Sequence, residues 1–172
     1  DHTGGLWEIL NKKENLPVYI GPSFKQTFKD EIRTHDGKLI ESKPFQEIEP
    51  NIFTTGEIDG LYKNSFVPEQ SLVIKTNKGI TIITGCSHPG IVNIIKKTKE
   101  HFPNETIHLV IGGFHLLNTD QNGIKNIVDQ IKSMGIEKVA PLHCSGKLAQ
   151  NIFKKTYREN CILPKVGETV EV

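Results

Sequence analysis

Long hydrophobic runs are missing from this 172-residue sequence, and so is any imbalance of charge. No apolar stretch approaches the roughly 18 residues that a membrane span requires, so no membrane partner is expected. The 21 basic and 20 acidic residues give a formal net charge of +1. A field that weak gives no basis for nucleic acid as a partner. The lysines are scattered, as in "NIIKKTKE" and "NIFKKTYRE", where they fall on the polar faces of amphipathic helices. Cysteine is scarce and odd in number: Cys86, Cys144 and Cys161 have no framework spacing. Free thiols in a reducing cytoplasm are the expectation. No charged-then-apolar leader precedes Asp1, so nothing argues for export. Repeats, low-complexity tracts and long linkers are also absent, and with 36% apolar residues the chain reads as one domain over residues 1–172.

What is present is an alternation of periods. "GGLWEILNKKEN" has the apolar spacing of a helix, stopped by Asn15 and Pro17. "PVYIG" reads as a short buried strand, "PSFKQTFKD" as a short helix, and the Asp-Gly pair of "THDGKLI" as a hairpin turn. "FQEIEPNIFTTGEI" alternates like edge strands broken at Pro50 and Gly56. "QSLVIKTNKGITIITGC" reads as a β-hairpin through Asn77-Lys78-Gly79. A helix in "HPGIVNIIKKTKEHF" follows, then the strand "TIHLVIGG", a helix in "NGIKNIVDQIKSMG", the strand "KVAPLH", a helix in "GKLAQNIFKKTYRE" and a last extended "ETVEV". Strands and helices in this order predict an α/β fold with helices layered on a sheet.

The chemistry gathers where strands end. "TIITGCSH", "LVIGGFH" and "VAPLH" each run straight into a histidine: His88, His115 and His143. Strand-end loops on one sheet edge converge, which is where layered α/β folds build their sites. Asp1 and His2 in the opening loop complete five candidate metal ligands. Imidazole and carboxylate suit zinc, manganese or iron, and a set this large points to two ions about 3.5–4 Å apart. His35, His101 and His108 lack this context and read as surface or structural residues. Cys86, two residues before His88, faces the same side if that segment is extended, whereas Cys144 would point away from the direction of His143. Free cysteine is more often a small buried hydrophobe than a ligand. Ser145, Gly146 and Lys147 open a helix just after His143, an arrangement that suits an anion such as phosphate. An ordinary serine cap with a surface lysine fits the same residues.

Taken together, "DHTGG", "TGCSHPGIVN", "IGGFHL" and "HCSG" resemble the ligand motifs of the metallo-β-lactamase superfamily. The opening is similar to the second half of its H-x-H-x-D-H-x-G-G motif. The branch most resembled is that of the dihydropterin-linked ribofuranosyl-aminobenzene phosphate synthases. The resemblance implies an αββα sandwich of which this chain is the C-terminal portion, with most of the first sheet missing. It implies a dinuclear site, commonly zinc, with Asp1, His2 and His143 on the second metal and His88 on the first. His115 stands where many members of the superfamily place a bridging aspartate.

The function expected is that of a metal-dependent hydrolase acting on a phosphorylated or other ester-type small molecule, with Asp1 orienting the attacking water. A non-catalytic module with a structural metal or none is the alternative, disfavoured because structural zinc sites are closed and cysteine-rich. A superfamily nuclease would need a basic surface, and a di-iron redox relative has fold alone in its favour. The resemblance also implies that the H-x-H pair precedes Asp1. This stretch alone is therefore expected to hold two metals poorly and to leave an apolar sheet face partly uncovered, at a cost on the order of 10 kcal/mol for several hundred Å².

Overall fold

The computed structural model describes residues 3–172. Its centre is a six-stranded sheet, antiparallel on one side and parallel on the other. The edge strand β3 (Gln46–Glu49) pairs antiparallel with β4 (Ile52–Thr54), and β4 with β7 (Leu72–Thr76). The hairpin through Asn77–Gly79 joins β7 to β8 (Gly79–Thr84), also antiparallel. From there the chain switches to parallel pairing, β8 with β9 (Ile107–Gly113) and β9 with β10 (Lys138–Leu142). Helix α3 (Ile91–His101) makes the first crossover, α4 (Gln121–Ser133) the second, and α5 (Lys147–Tyr157) follows β10.

The amphipathic periods explain this layering. Phe53, Val73, Ile82, Val110 and Val139 are register partners across five strands and lie on one face of the sheet. Ile91, Ile94 and Ile95 of α3, Ile124, Val128 and Ile131 of α4 and Ala149 and Phe153 of α5 join that row in the main core. On the opposite face Thr81 and Leu109 are sealed, while Ile74, Ile83 and Ile111 are half-buried.

A smaller unit precedes the sheet. Helix α1 (Leu6–Leu10), β1 (Pro17–Ile20), α2 (Gln26–Thr34) and β2 (Lys38–Glu41) enclose Leu10, Val18, Ile20 and Ile32. Here the hairpin expected at Asp36-Gly37 is corrected, because β1 and β2 run parallel with α2 as the crossover. Asp36 (φ 55°) and Gly37 instead close α2, their N–H groups donating to Arg33 and Ile32 carbonyls at 3.1 and 2.9 Å. A single left-handed residue after the last turn, here Asp36, ends a helix, so an Asp-Gly pair serves a helix end as readily as a hairpin. The extended stretch expected at the C-terminus joins no strand of the described residues.

A two-residue hairpin, β5 (Leu61–Tyr62) with β6 (Ser65–Phe66), is the remaining element. Its turn residues Lys63 and Asn64 are both left-handed, at φ 48° and 62°. No helix among the described residues is long and apolar enough to cross a membrane.

Candidate metal centre

The parallel strands β8, β9 and β10 present their C-terminal ends on one edge, and each hands over to a short loop. Every one of these loops turns at a non-glycine residue with positive φ: Ser87 (65°), His115 (51°) and His143 (46°). Such backbone costs of order 1 kcal/mol or more per residue and persists where surrounding structure enforces it, commonly at functional sites. Three buried hydroxyls enforce it here. Ser87 donates its hydroxyl to the Gly113 carbonyl at 2.5 Å, and Thr84 donates to the same oxygen at 3.1 Å. Ser145 donates to the Leu142 carbonyl at 2.6 Å and accepts from the Phe114 N–H at 3.0 Å. The three loops are thereby bolted to one another.

His88, His115 and His143 line one cavity of about 260 Å³, together with Cys86, Cys144 and Tyr62. The rings of His88 and His115 are 4.4 Å apart, and Tyr62 packs on both at 4.9 and 5.3 Å. Glu69 fixes His88 twice, accepting from its backbone N–H at 2.9 Å and from its ring Nδ1 at 2.6 Å. Because a carboxylate only accepts, Nδ1 must carry the proton, which leaves the Nε2 lone pair for a ligand. Burial and the neighbouring His88 hold the His115 pKa below its ordinary value, which favours the neutral, ligating imidazole. Its Nδ1 is buried without a hydrogen-bond partner. Burial raises the Cys86 thiol to about 12, helped by a hydrogen bond and charge from Cys144 and by the charge of Glu69.

Two overlapping donor groups result, Glu69–Cys86–His88 and Cys86–His115–Cys144, each with its donor atoms within 4.8 Å of one another. An orphaned buried imidazole nitrogen, a tautomer-locked histidine and two thiols fit a borderline or soft divalent ion. Asp1 and His2 lie outside the described residues.

Several sequence expectations change in detail. Cys144 does not point away: His143–Ser145 is a 3₁₀ turn begun by the left-handed His143, so the alternation of an extended segment does not apply. Ser145 is fully buried and its hydroxyl is committed to the loop framework, while Lys147 is exposed at the first residue of α5. The other histidines are engaged elsewhere. His35 bonds Asn11, His108 bonds Glu137, and the exposed His101 stacks on Phe45 at 3.7 Å. Sequence reasoning missed Glu69 and Tyr62. Glu69 reaches His88 from 19 residues away in the chain, through an isolated bridge to Ile58 that leaves no periodic trace.

No family model matches the chain. It is 32% identical to 7,8-dihydropterin-6-methyl-4-(β-D-ribofuranosyl)-aminobenzene-5'-phosphate synthase of Methanocaldococcus jannaschii, over 93% of this chain and 68% of that protein. The chain belongs to the family of that synthase. An uncharacterized protein of the same organism is 37% identical over 55% of this chain and 34% of its own length. Among solved structures, a metal-dependent hydrolase of the β-lactamase superfamily superposes with a TM-score of 0.77 at 28% identity, covering 95% of this chain and 73% of that one. An isothiocyanate hydrolase from Delia radicum gut bacteria shares the fold at 11% identity and a TM-score of 0.58, covering 96% and 71%. The fold is thus that of the β-lactamase superfamily, with the histidine cavity at the end of its parallel strands.

Proposed function

We propose that the protein is a metal-dependent hydrolase whose centre is built on His88, His115 and His143, with Asp1 and His2 as further donors. The observation that carries this reading is the 4.4 Å approach of the His88 and His115 rings in a cavity where Glu69 locks His88 for ligation. Three histidines together with Asp1 and His2 are more donors than one ion takes, which favours a pair of ions, zinc by donor chemistry. When bound, the ions lower the pKa of water toward neutrality and polarise a substrate oxygen.

The protein's own residues do the rest. Glu69 keeps His88 in one tautomer and orientation, and the low basicity of His115 keeps it deprotonated at neutral pH. Tyr62 packs against both rings, at 4.9 and 5.3 Å, and limits their rotation. Asp1 orients the attacking water. Lys147, exposed at the start of α5 near His143, supplies the counter-charge for a phosphate group, with the backbone of Gly146 beside it.

The 28%-identical superfamily hydrolase supports the reaction class. The 32%-identical synthase, named for a pterin-linked ribofuranosyl-aminobenzene phosphate that it forms, supports a phosphorylated small molecule of that chemistry as the ligand. The test is hydrolysis of bis-(p-nitrophenyl) phosphate. Activity should vanish on chelation and return with zinc, and His88→Ala and His115→Ala should abolish it while His101→Ala leaves it intact. Hydrolysis indifferent to chelator would overturn the reading.

A further inference from the structure

The two cysteines beside the histidines are not needed by the mechanism above, yet they stand inside the site. Cys86 is buried and Cys144 half-buried, on loops that are 58 residues apart in sequence. Their sulfurs and a His115 ring nitrogen lie within 4.8 Å of one another. A tetrahedral zinc with bonds of about 2.3 Å to sulfur and 2.0–2.1 Å to nitrogen has donor–donor edges of roughly 3.3–3.8 Å. Shifts of an ångström or less close such a set.

We propose that Cys86 and Cys144 supply sulfur to the metal centre, forming with His115 a Cys₂His set for a soft divalent ion. This inference rests on the metal-centre reading above. Three further observations support it. The His115 Nδ1 is buried without a partner, a vacancy that ligation fills. Cys86 also belongs to the group with Glu69 and His88, so its sulfur lies within 4.8 Å of a ring nitrogen of each of the two histidines. Gly113 makes the approach of the loops possible, because a Cβ there would lie 2.8 Å from the Cys144 sulfur, 3.3 Å from the Cys86 Cα and 2.3 Å from the Gly85 carbonyl oxygen. The strand that separates the two cysteines is thinned to a bare backbone at that point. Binding releases both thiol protons to solvent as the two metal–sulfur bonds form, since a coordinating thiol is deprotonated.

Cobalt(II) in place of zinc tests this without any substrate. The loaded wild-type protein should show an intense near-ultraviolet sulfur-to-cobalt charge-transfer band, reduced in Cys86→Ser and in Cys144→Ser and abolished in the double variant. The weaker visible bands of histidine-bound cobalt should survive in all three. Cys→Ala versions with unchanged far-ultraviolet circular dichroism separate ligation from folding. Cobalt bound by wild type with no charge-transfer band, or a band unchanged in the double variant, overturns this proposal alone. A wild-type protein that takes up no cobalt overturns it together with the metal centre.

Discussion

Glu69→Ala isolates the contribution of a residue that would touch no substrate. The carboxylate makes two hydrogen bonds to His88, 2.6 Å to Nδ1 and 2.9 Å to the backbone N–H, and both are lost in the variant. The imidazole is then free to rotate and to move its proton to the nitrogen that should face the ion. A hydrogen bond to a charged group contributes about 1.5–3 kcal/mol net. Independently, removing the partner of a ligating histidine typically weakens metal binding about 10–100-fold, which at about 1.4 kcal/mol per decade is about 1.4–2.7 kcal/mol. The two routes agree, so zinc affinity should fall by about one to two decades. Glu69→Gln should recover only part of this, because its amide oxygen can accept from one of the two N–H groups while its NH₂ faces the other. The assay is competition with a chromophoric chelator, with thermal unfolding of the metal-free proteins as the control for folding. Zinc affinity within about threefold of wild type in both variants would refute the reasoning, since the orienting bond would then be idle.

Other consequences follow from burial and titration. Gly113→Ala should destabilise by about 1–3 kcal/mol in urea unfolding, through overpacking against the Gly85 carbonyl and the Cys144 sulfur. Phe153→Ala empties a fully buried position under α5 and should cost about 3–5 kcal/mol in the same assay. His115 has its pKa below the ordinary 6.5 in the fold, so the unfolded chain takes up a proton first as pH falls. Stability of the metal-free protein should therefore decline on acidification below pH 6.5 and level off beneath the folded pKa. His115→Gln should flatten that slope. Cys86, raised to about 12 and buried, should alkylate with iodoacetamide far more slowly at pH 8 than a free cysteine does, as read by mass spectrometry.

Much of the fold was legible because period and position agree. The hairpin at Asn77–Gly79 and the strand-helix alternation from β8 to α5 follow from apolar spacing that local turn chemistry reinforces. Asp36-Gly37 carries an ambiguous signal, because an Asp-Gly pair serves a helix end and a hairpin alike, and only the parallel pairing of β1 with β2 across α2 decides between them. His88, His115 and His143 could be singled out because each closes an apolar strand beside glycine or another small residue. Glu69 and Tyr62 could not: one arrives through an isolated bridge, the other on a four-residue ribbon, and neither has a periodic signature. The position of Cys144 was hidden for a different reason. A single left-handed residue, His143, reverses the side to which the next side chain points.

Anomalous diffraction at the zinc edge from zinc-loaded crystals tests the metal centre most directly. An anomalous peak bounded by His88 and His115 is expected, with the Cys86 and Cys144 sulfurs against it, and none at His35, His101 or His108. Anomalous density only at those outlying histidines, or none in the cavity at saturating zinc, would contradict it.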